Sequence, residues 1–412
     1  MQGCPTGASA ATSTANQEPT ASKRALWSLP LGAVTPFAAA SVIILMAGTS
    51  AVTPLYRIYQ QTMNLTPFWI TVVFASYVVS LLAALLTVGG LSDYVGRRPV
   101  MLAALLINAA AMMIFAEADS LWQLIAARMV QGLSVGIGTT AFGAAILDTS
   151  RTRGPLLNSV AAFLGMTAGA LVSATLIVFV PDPLHAVYVV VLAFTLLMLL
   201  LLVVMPESCT PKDGAWASLR PHVAVPPQSQ PVLARLTPAN VGAWSLGGFY
   251  LSLMPTVVAT AMKVASPWIG GLVVSALMLT AALAVAVFRH WPARRLVLAG
   301  ASTVPVGVAI SMIGIQQQHV LALLAGTIIA GAGFGASFSG TLRALLPTAH
   351  AHERAGLLSA FYLQSYLAFA VPAVAAGLSV PLIGLSLVAY IYGAVIIVLT
   401  IVSGIATLMS KG

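Results

Sequence analysis

Long apolar runs separated by short polar turns make up most of this chain. Twelve runs follow one another, near residues 34–56, 68–89, 100–117, 121–147, 156–179, 185–205, 238–261, 268–288, 296–316, 319–344, 356–379 and 382–408. A helix needs about 20 mostly apolar residues to cross a bilayer. In lipid the backbone must satisfy its own hydrogen bonds, which favours helices. The pattern therefore predicts an all-α integral membrane protein with twelve transmembrane helices. Pro36 and Pro54 mark the expected ends of the first. The longest polar stretch, residues 206–236, carries six prolines and divides the runs into six and six. The expected organisation is a disordered cytoplasmic tail over 1–33, a six-helix bundle over 34–205, a cytoplasmic linker over 206–237 and a second six-helix bundle over 238–408.

Composition agrees. The 412 residues are 59% hydrophobic and only 7% charged, with a mean hydropathy of +0.98. A soluble protein could not hide that much apolar surface behind so little charge. The basic residues then set the orientation. With the N-terminus in the cytoplasm, only Arg57 and Lys263 of the 18 Lys and Arg fall on the outer side, and Arg128 falls inside a span, leaving fifteen on the cytoplasmic side. Both termini are expected in the cytoplasm, and the protein in the plasma (inner) membrane. A pI near 9.9 would suit nucleic acid, but these charges are scattered over short loops, so no nucleic-acid partner is expected. Cys4 and Cys209 both fall on the cytoplasmic side, which argues against a structural disulfide.

The two halves resemble each other at an offset near 200. Thr66-Pro67-Phe68-Trp69 before the second run answers Ser266-Pro267-Trp268 before the eighth. Pro54 answers Pro255, Arg97-Arg98 answers Arg294-Arg295, and Arg153-Gly154-Pro155-Leu156-Leu157 answers Arg354-Ala355-Gly356-Leu357-Leu358. Two pseudo-symmetric six-helix bundles follow, and such a pair can rock about a site at its interface.

One turn concentrates scarce charge: Gly89-Gly90-Leu91-Ser92-Asp93-Tyr94-Val95-Gly96-Arg97-Arg98-Pro99. Its glycines allow close approach of helix and turn. Asp93 can pair with an arginine or face a helix N-terminus. Asp148, with Arg151 and Arg153 behind it, is either a further member of this charge cluster, pairing with Arg97, or a plain loop charge. The turn resembles the loop 2–3 signature of the major facilitator superfamily, and the twelve runs and central linker fit the same family over the chain from about residue 34. The resemblance implies a conformational latch at Gly89, Asp93, Gly96, Arg97 and Arg98, holding the two halves in the outward-open state. Tyr94 stands where the family commonly has a basic residue. The second copy, Arg289-His290-Trp291-Pro292-Ala293-Arg294-Arg295, has histidine in place of the acid. The stronger latch is expected in the first half.

Arg128, in Leu124-x-x-x-Arg128-x-x-Gln131-Gly132, resembles the family's second motif, whose arginine is associated with proton coupling. From the residues alone, an arginine at a helix centre costs about 2.5–3.5 kcal/mol on insertion scales. It must face a cavity or bond to backbone carbonyls, with Gln131 one turn away on the same face. The fifth run keeps Gly165 and Gly169 but lacks the proline of the family's antiporter signature, and helix packing alone explains those glycines. None of the nine acids falls mid-span, and arginine does not release its proton. A proton would have to use Asp93 or Asp148, Glu117 or Asp119, or the substrate itself. One fixed cation and no buried anion favour neutral or anionic substrates. Tyr56, Tyr77, Phe249, Tyr250, Gln364 and Tyr366 are the candidate cavity residues, with Ser252 as a further polar group.

Gly331-Ala332-Gly333-Phe334-Gly335 lies inside an apolar run, so packing explains it better than a nucleotide loop. No phosphate-binding motif, metal cluster or cofactor site is evident, and no enzymatic activity is expected. The sequence points to a monomeric secondary transporter of small organic molecules working by alternating access, with proton-linked efflux as the expected mode. An uptake symporter or uniporter for a metabolite such as an organic acid is the alternative within transport. A non-transporting membrane receptor or scaffold is the alternative outside it.

Overall fold

The structure is a computed structural model that describes residues 29–410 apart from Ala265. Most of the expected unstructured tail, residues 1–28, lies outside the described residues. Leu31–Ala33, placed in that tail by the sequence, form a 3-10 turn that leads into the first helix.

Twelve spans follow, and no strand occurs among the described residues. In the first half they are α1 (Val34–Thr62), α2 (Pro67–Val88), α3 (Arg97–Ala116), α4 (Leu121–Thr149), α5 (Gly154–Phe179) and α6 (Pro183–Leu202). In the second half α7 begins as Gln230–Ser252 and continues, after a 55° bend, through Met254–Ala261. It is followed by α8 (Pro267–Val287), α9 (Ala293–Gln316), α10 (Val320–Leu345), α11 (Arg354–Ile383) and α12 (Leu385–Met409).

Three boundaries differ from the sequence pattern. α1 runs six residues past 56, because Pro54 sits within the helix rather than at its end. α7 starts at Gln230, not 238; Pro231 occupies the first turn, where its missing N–H costs nothing. α7 is also broken near Leu253. Pro255 cannot donate to the carbonyl four residues back, Leu251. That carbonyl instead accepts a hydrogen bond from Thr53 Oγ1 of α1 at 2.9 Å. The break in one half therefore makes a contact to the other.

The duplication is visible in the packing. Within the first half α1 packs on α5 and α6, α2 on α4, and α3 on α4 and α6. Adding six to each number gives the contacts of the second half: α7 on α11 and α12, α8 on α10, and α9 on α10 and α12. Between the halves α2 packs on α11 and α5 on α8, a pair of contacts that exchange when the halves are swapped. This is the arrangement of two parallel repeats about an axis along the membrane normal. The α1–α5 contact depends on small residues: a Cβ at Gly165 or Gly169 would overlap the carbonyls of Ile43 or Ala47.

The linker touches both halves. Lys212 N–H donates to Tyr94 O at 2.8 Å, Ala224 N–H to Gly356 O at 3.3 Å, and Gln228 Nε2 to Glu353 Oε2 at 2.7 Å. Hydrogen bonds to His350, from its backbone N–H first and its ring second, hold the Glu353 carboxyl below the usual carboxylate range.

Candidate functional site

A cavity of about 310 Å³ lies between the halves. Its deepest polar wall comes from Thr49 and Thr53 of α1, Tyr77 of α2 and Arg128 of α4. From there it extends toward the terminal face, the one where the first and last described residues lie, reaching Leu85, Asn158 and Tyr362 near the ends of their helices. Hydrogen bonds that join the halves lie deeper or toward the opposite face: Thr53 to Leu251 O, Thr256 to Gln60 Oε1 at 3.2 Å, Trp268 Nε1 to Thr175 Oγ1 at 3.2 Å and Ser275 to Thr167 O at 3.2 Å. The halves are thus pinned together away from the terminal face.

Arg128 is set by the start of α4. Gln123 Oε1 accepts from Asp119 N–H at 2.8 Å and Ser120 N–H at 3.2 Å, which fixes the first turn. Two turns on, about 10 Å deeper, Arg128 is 1% exposed. One terminal nitrogen donates to Thr49 O at 3.1 Å and to Gln131 Oε1 at 2.8 Å; the other donates to the Tyr56 hydroxyl. The rings of Tyr56, Tyr77 and Phe115 surround its guanidinium at 5.5, 5.5 and 5.9 Å. Such contacts stabilise a desolvated cation by about 2 kcal/mol. Arginine thus both reaches the cavity and bonds a backbone carbonyl, so the two readings of Arg128 left open by the sequence coexist. Among the described residues its Nε has no partner, and no carboxylate lines the cavity.

Of the other candidate residues, Tyr77 and Tyr366 line this cavity. Tyr56 lies behind the guanidinium, fully buried. Phe249, Tyr250, Gln364 and Ser252 sit elsewhere. Phe249 packs on Tyr392 with ring centroids 4.7 Å apart, and the Tyr250 hydroxyl lies 2.9 Å from Thr327 Oγ1, both among the helices of the second half. Gln364 is held by Asn240 at 3.1 Å and Thr237 at 2.8 Å, and Ser252 bonds back to Gly248 O. The physical reason is rotation about the helix axis. On α7 and α11 the faces turned to the cavity are those of Trp244 and Leu251, and of Tyr362, Tyr366 and Phe369.

Of those cavity aromatics Tyr366 was a sequence candidate, whereas Trp244, Tyr362 and Phe369 were not. Trp244 packs edge-on against Tyr366, Phe369, Phe338 and Phe334 at 5.2, 5.7, 6.2 and 6.3 Å. Phe74 meets Phe369 at 4.9 Å and Phe163 meets Phe334 at 5.5 Å, so the cluster joins the halves. A signal existed: 362, 366 and 369 on α11, and 334 and 338 on α10, repeat at helical spacing.

The charged turn folds around Arg97. Gly89 follows α2 directly; Ser92–Val95 form one helical turn; Gly96, at φ +98°, begins α3. Arg97, 6% exposed, pairs with Asp93 at 2.5 Å and Asp148 at 3.0 Å and donates to Ser92 Oγ at 2.7 Å. Arg98 reaches the C-terminal end of α6, donating to Val203 O at 3.0 Å and Leu202 O at 3.3 Å. Glu207, absent from the sequence candidates, completes the cluster. Its carboxylate accepts from the backbone N–H groups of Arg97 at 2.8 Å and Arg98 at 3.0 Å, at the positive end of α3. Only glycine fits at 96, where a Cβ would lie 2.8 Å from Glu207 Oε2. In the second half Arg294 donates to Thr407 O and Leu408 O at the end of α12, as Arg98 does at the end of α6. Arg294 is thus the structural counterpart of Arg98, one residue out of register with the sequence pairing.

The Major Facilitator Superfamily profile matches residues 38–371. No curated protein matches the sequence significantly. Solved structures do. The inward-open xylose transporter XylE from E. coli aligns with a TM-score of 0.72 at 14% identity, covering 90% of this chain and 95% of that one. The nucleoside transporter NupG aligns at 0.69 and 13%, covering 92% and 100%. The human organic anion transporter MFSD10 aligns at 0.64 and 17%, covering 91% and 100%. At these identities the likeness is one of fold.

Proposed function

The chain belongs to the major facilitator superfamily, a family of membrane transporters that work by alternating access, and we propose that it exports small neutral or anionic organic molecules in a proton-linked cycle. The observation that carries this is Arg128: a buried cation on a cavity between two halves, with no carboxylate from the described residues along the walls. A cationic solute would meet uncompensated repulsion there.

The excess of basic residues supports a cytoplasmic terminal face, and the membrane in this reading is the plasma (inner) membrane. The cavity then loads from inside. An anion leaving a cell with a negative interior moves with the field, which contributes about 2.3 kcal/mol per charge per 100 mV. Arginine is no proton carrier, so proton coupling falls to Asp93, Asp148 or the substrate. The hinge residues Gly89, Asp93, Gly96, Arg97, Arg98, Asp148 and Glu207 act as the latch. In this structure their described partners all lie in the first half or at the start of the linker. Asp93, whose side chain is 57% exposed, is free to gain a partner across the interface when the terminal face closes. The protein works as a monomer.

Proteoliposome counterflow with a panel of organic solutes tests transport itself. A receptor or scaffold would exchange none of them. Everted vesicles test direction: solute should accumulate when an acid-inside gradient is imposed and leave when it collapses. Accumulation only in right-side-out vesicles would replace export with uptake of an organic acid.

A further inference from the structure

We propose that the central cavity takes a single aromatic carboxylate, held as a bridge between Arg128 of the first half and Trp244 of the second. This rests on the transport reading above and names its substrate class.

Three observations converge. Arg128 spends its terminal nitrogens on Thr49 O, Gln131 and Tyr56, and its Nε–H is left without a partner among the described residues. None of the ion pairs among the described residues involves it. A buried cation without a counter-ion is costly, and one monoanion would balance it, whereas a dianion would leave excess negative charge in the cavity.

Trp244 is the matching feature opposite. Its Nε1–H, buried, also has no partner among the described residues. The ring is fixed by its four edge-on neighbours, so the donor is held in place. The Thr53–Leu251 hydrogen bond fixes the relative level of α1 and α7. Thr49, which Arg128 contacts, lies four residues from Thr53 toward the terminal face, and Trp244 lies seven residues from Leu251 in the same direction. At about 1.5 Å per residue, Trp244 stands about 4–5 Å nearer that face than Thr49. The two unpartnered donors therefore belong to opposite halves at nearly the same depth.

Between them the wall is aromatic, with Phe74, Tyr77, Phe163 and Phe369 contributing alongside Trp244 and Tyr366. Ring edges and faces in this arrangement favour a flat π system over a flexible chain. The volume of about 310 Å³ sits at the lower end of ligand pockets, about 300–1,000 Å³, which suits one small molecule. A carboxylate at Arg128, a ring among the aromatics and an acceptor oxygen at Trp244 satisfy each group. Because the ligand touches both halves, its arrival would draw them together on the terminal side.

The test is binding of radiolabelled 4-hydroxybenzoate to the full chain in lipid nanodiscs, with unlabelled competitors. Benzoate should compete well and cyclohexanecarboxylate about 2- to 12-fold less well, since aromatic packing contributes about 0.5–1.5 kcal/mol. The neutral 4-hydroxybenzamide and the cationic 4-hydroxybenzylamine should be about 10- to 100-fold weaker than the acid, the worth of a charge-assisted hydrogen bond. Arg128→Gln should lose about the same factor. Trp244→Phe should weaken 4-hydroxybenzoate about 5-fold more than it weakens benzoate, the difference being one neutral hydrogen bond. The wild-type ranking needs no variant, so misfolding of Arg128→Gln does not blunt it. The proposal is overturned if the amine binds as well as the acid, if the saturated ring competes equally, or if Trp244→Phe affects both acids alike. If no aromatic acid binds but another solute shows counterflow, the substrate class falls and transport stands. If nothing shows counterflow, both fall.

Discussion

Glu207→Ala should destabilise the first half by removing the cap of α3. The carboxylate accepts from four backbone N–H groups: Arg97 and Arg98 at the start of α3, and Ser208 at 3.0 Å and Cys209 at 3.2 Å beside it. No other side chain caps α3, since its N-cap is Gly96. A lost N-cap costs about 1 kcal/mol, and hydrogen bonds to a charged group contribute about 1.5–3 kcal/mol each when buried. Glu207 is only half-buried, and water can replace part of the loss, so the expected cost is about 2 kcal/mol. If the first six helices melt as a unit, that lowers Tm by about 4–8 °C. Glu207→Gln, which keeps one acceptor oxygen, should lose about half as much. The cap and Gly96 should also be coupled. Gly96→Ala forces a side chain into a left-handed conformation, costing about 1–2 kcal/mol, and displaces the carboxylate as well. With Glu207→Ala already present the displacement costs nothing, so the double variant should lose about 1–2 kcal/mol less than the sum of the singles. The assay is thermal unfolding of the purified protein in detergent, completed as a double-mutant cycle. A Glu207→Ala variant that melts with the wild type, or a cycle that is additive, would refute the capping role.

Thr53→Val removes the hydrogen bond to Leu251 O that ties α1 to the bend of α7; at about 1 kcal/mol it should shift the two-state balance about 5-fold away from this conformation, seen as altered spin-label distances between the halves on the side opposite the termini. Gly169→Leu should cost about 3 kcal/mol by forcing α1 and α5 apart, measured as loss of monodisperse protein in detergent, while Ser at the same position should be milder. Asp148→Asn should cost only about 1 kcal/mol, because Arg97 keeps Asp93. Adding Asp93→Asn leaves a buried cation unpaired, and the pair of changes should cost about 3 kcal/mol in the same melting assay; additivity would show that the two acids act separately.

Lipid is a simple solvent, and that is why so much of the fold was legible in the chain. It demands apolar runs of spanning length, and the runs are there to be counted. The duplication was legible too, because Pro54 with Pro255 and Pro67 with Pro267 are backbone devices that leave a mark at fixed spacing. Arg128 was legible because a charge in such a run is expensive, and Arg97 because charge is scarce. Three things only the tertiary structure decided. Helix rotation chose Trp244 and Phe369 for the cavity over Phe249 and Tyr250; in a helix that is apolar all round, hydropathy does not distinguish the faces. The break of α7 became a contact because Thr53 of the other half lies beside the carbonyl that Pro255 frees. Glu207 joined the charged turn although about 110 residues separate it from Arg97: the folding of α6 against α3 brings it there, and no local pattern in the sequence records that meeting.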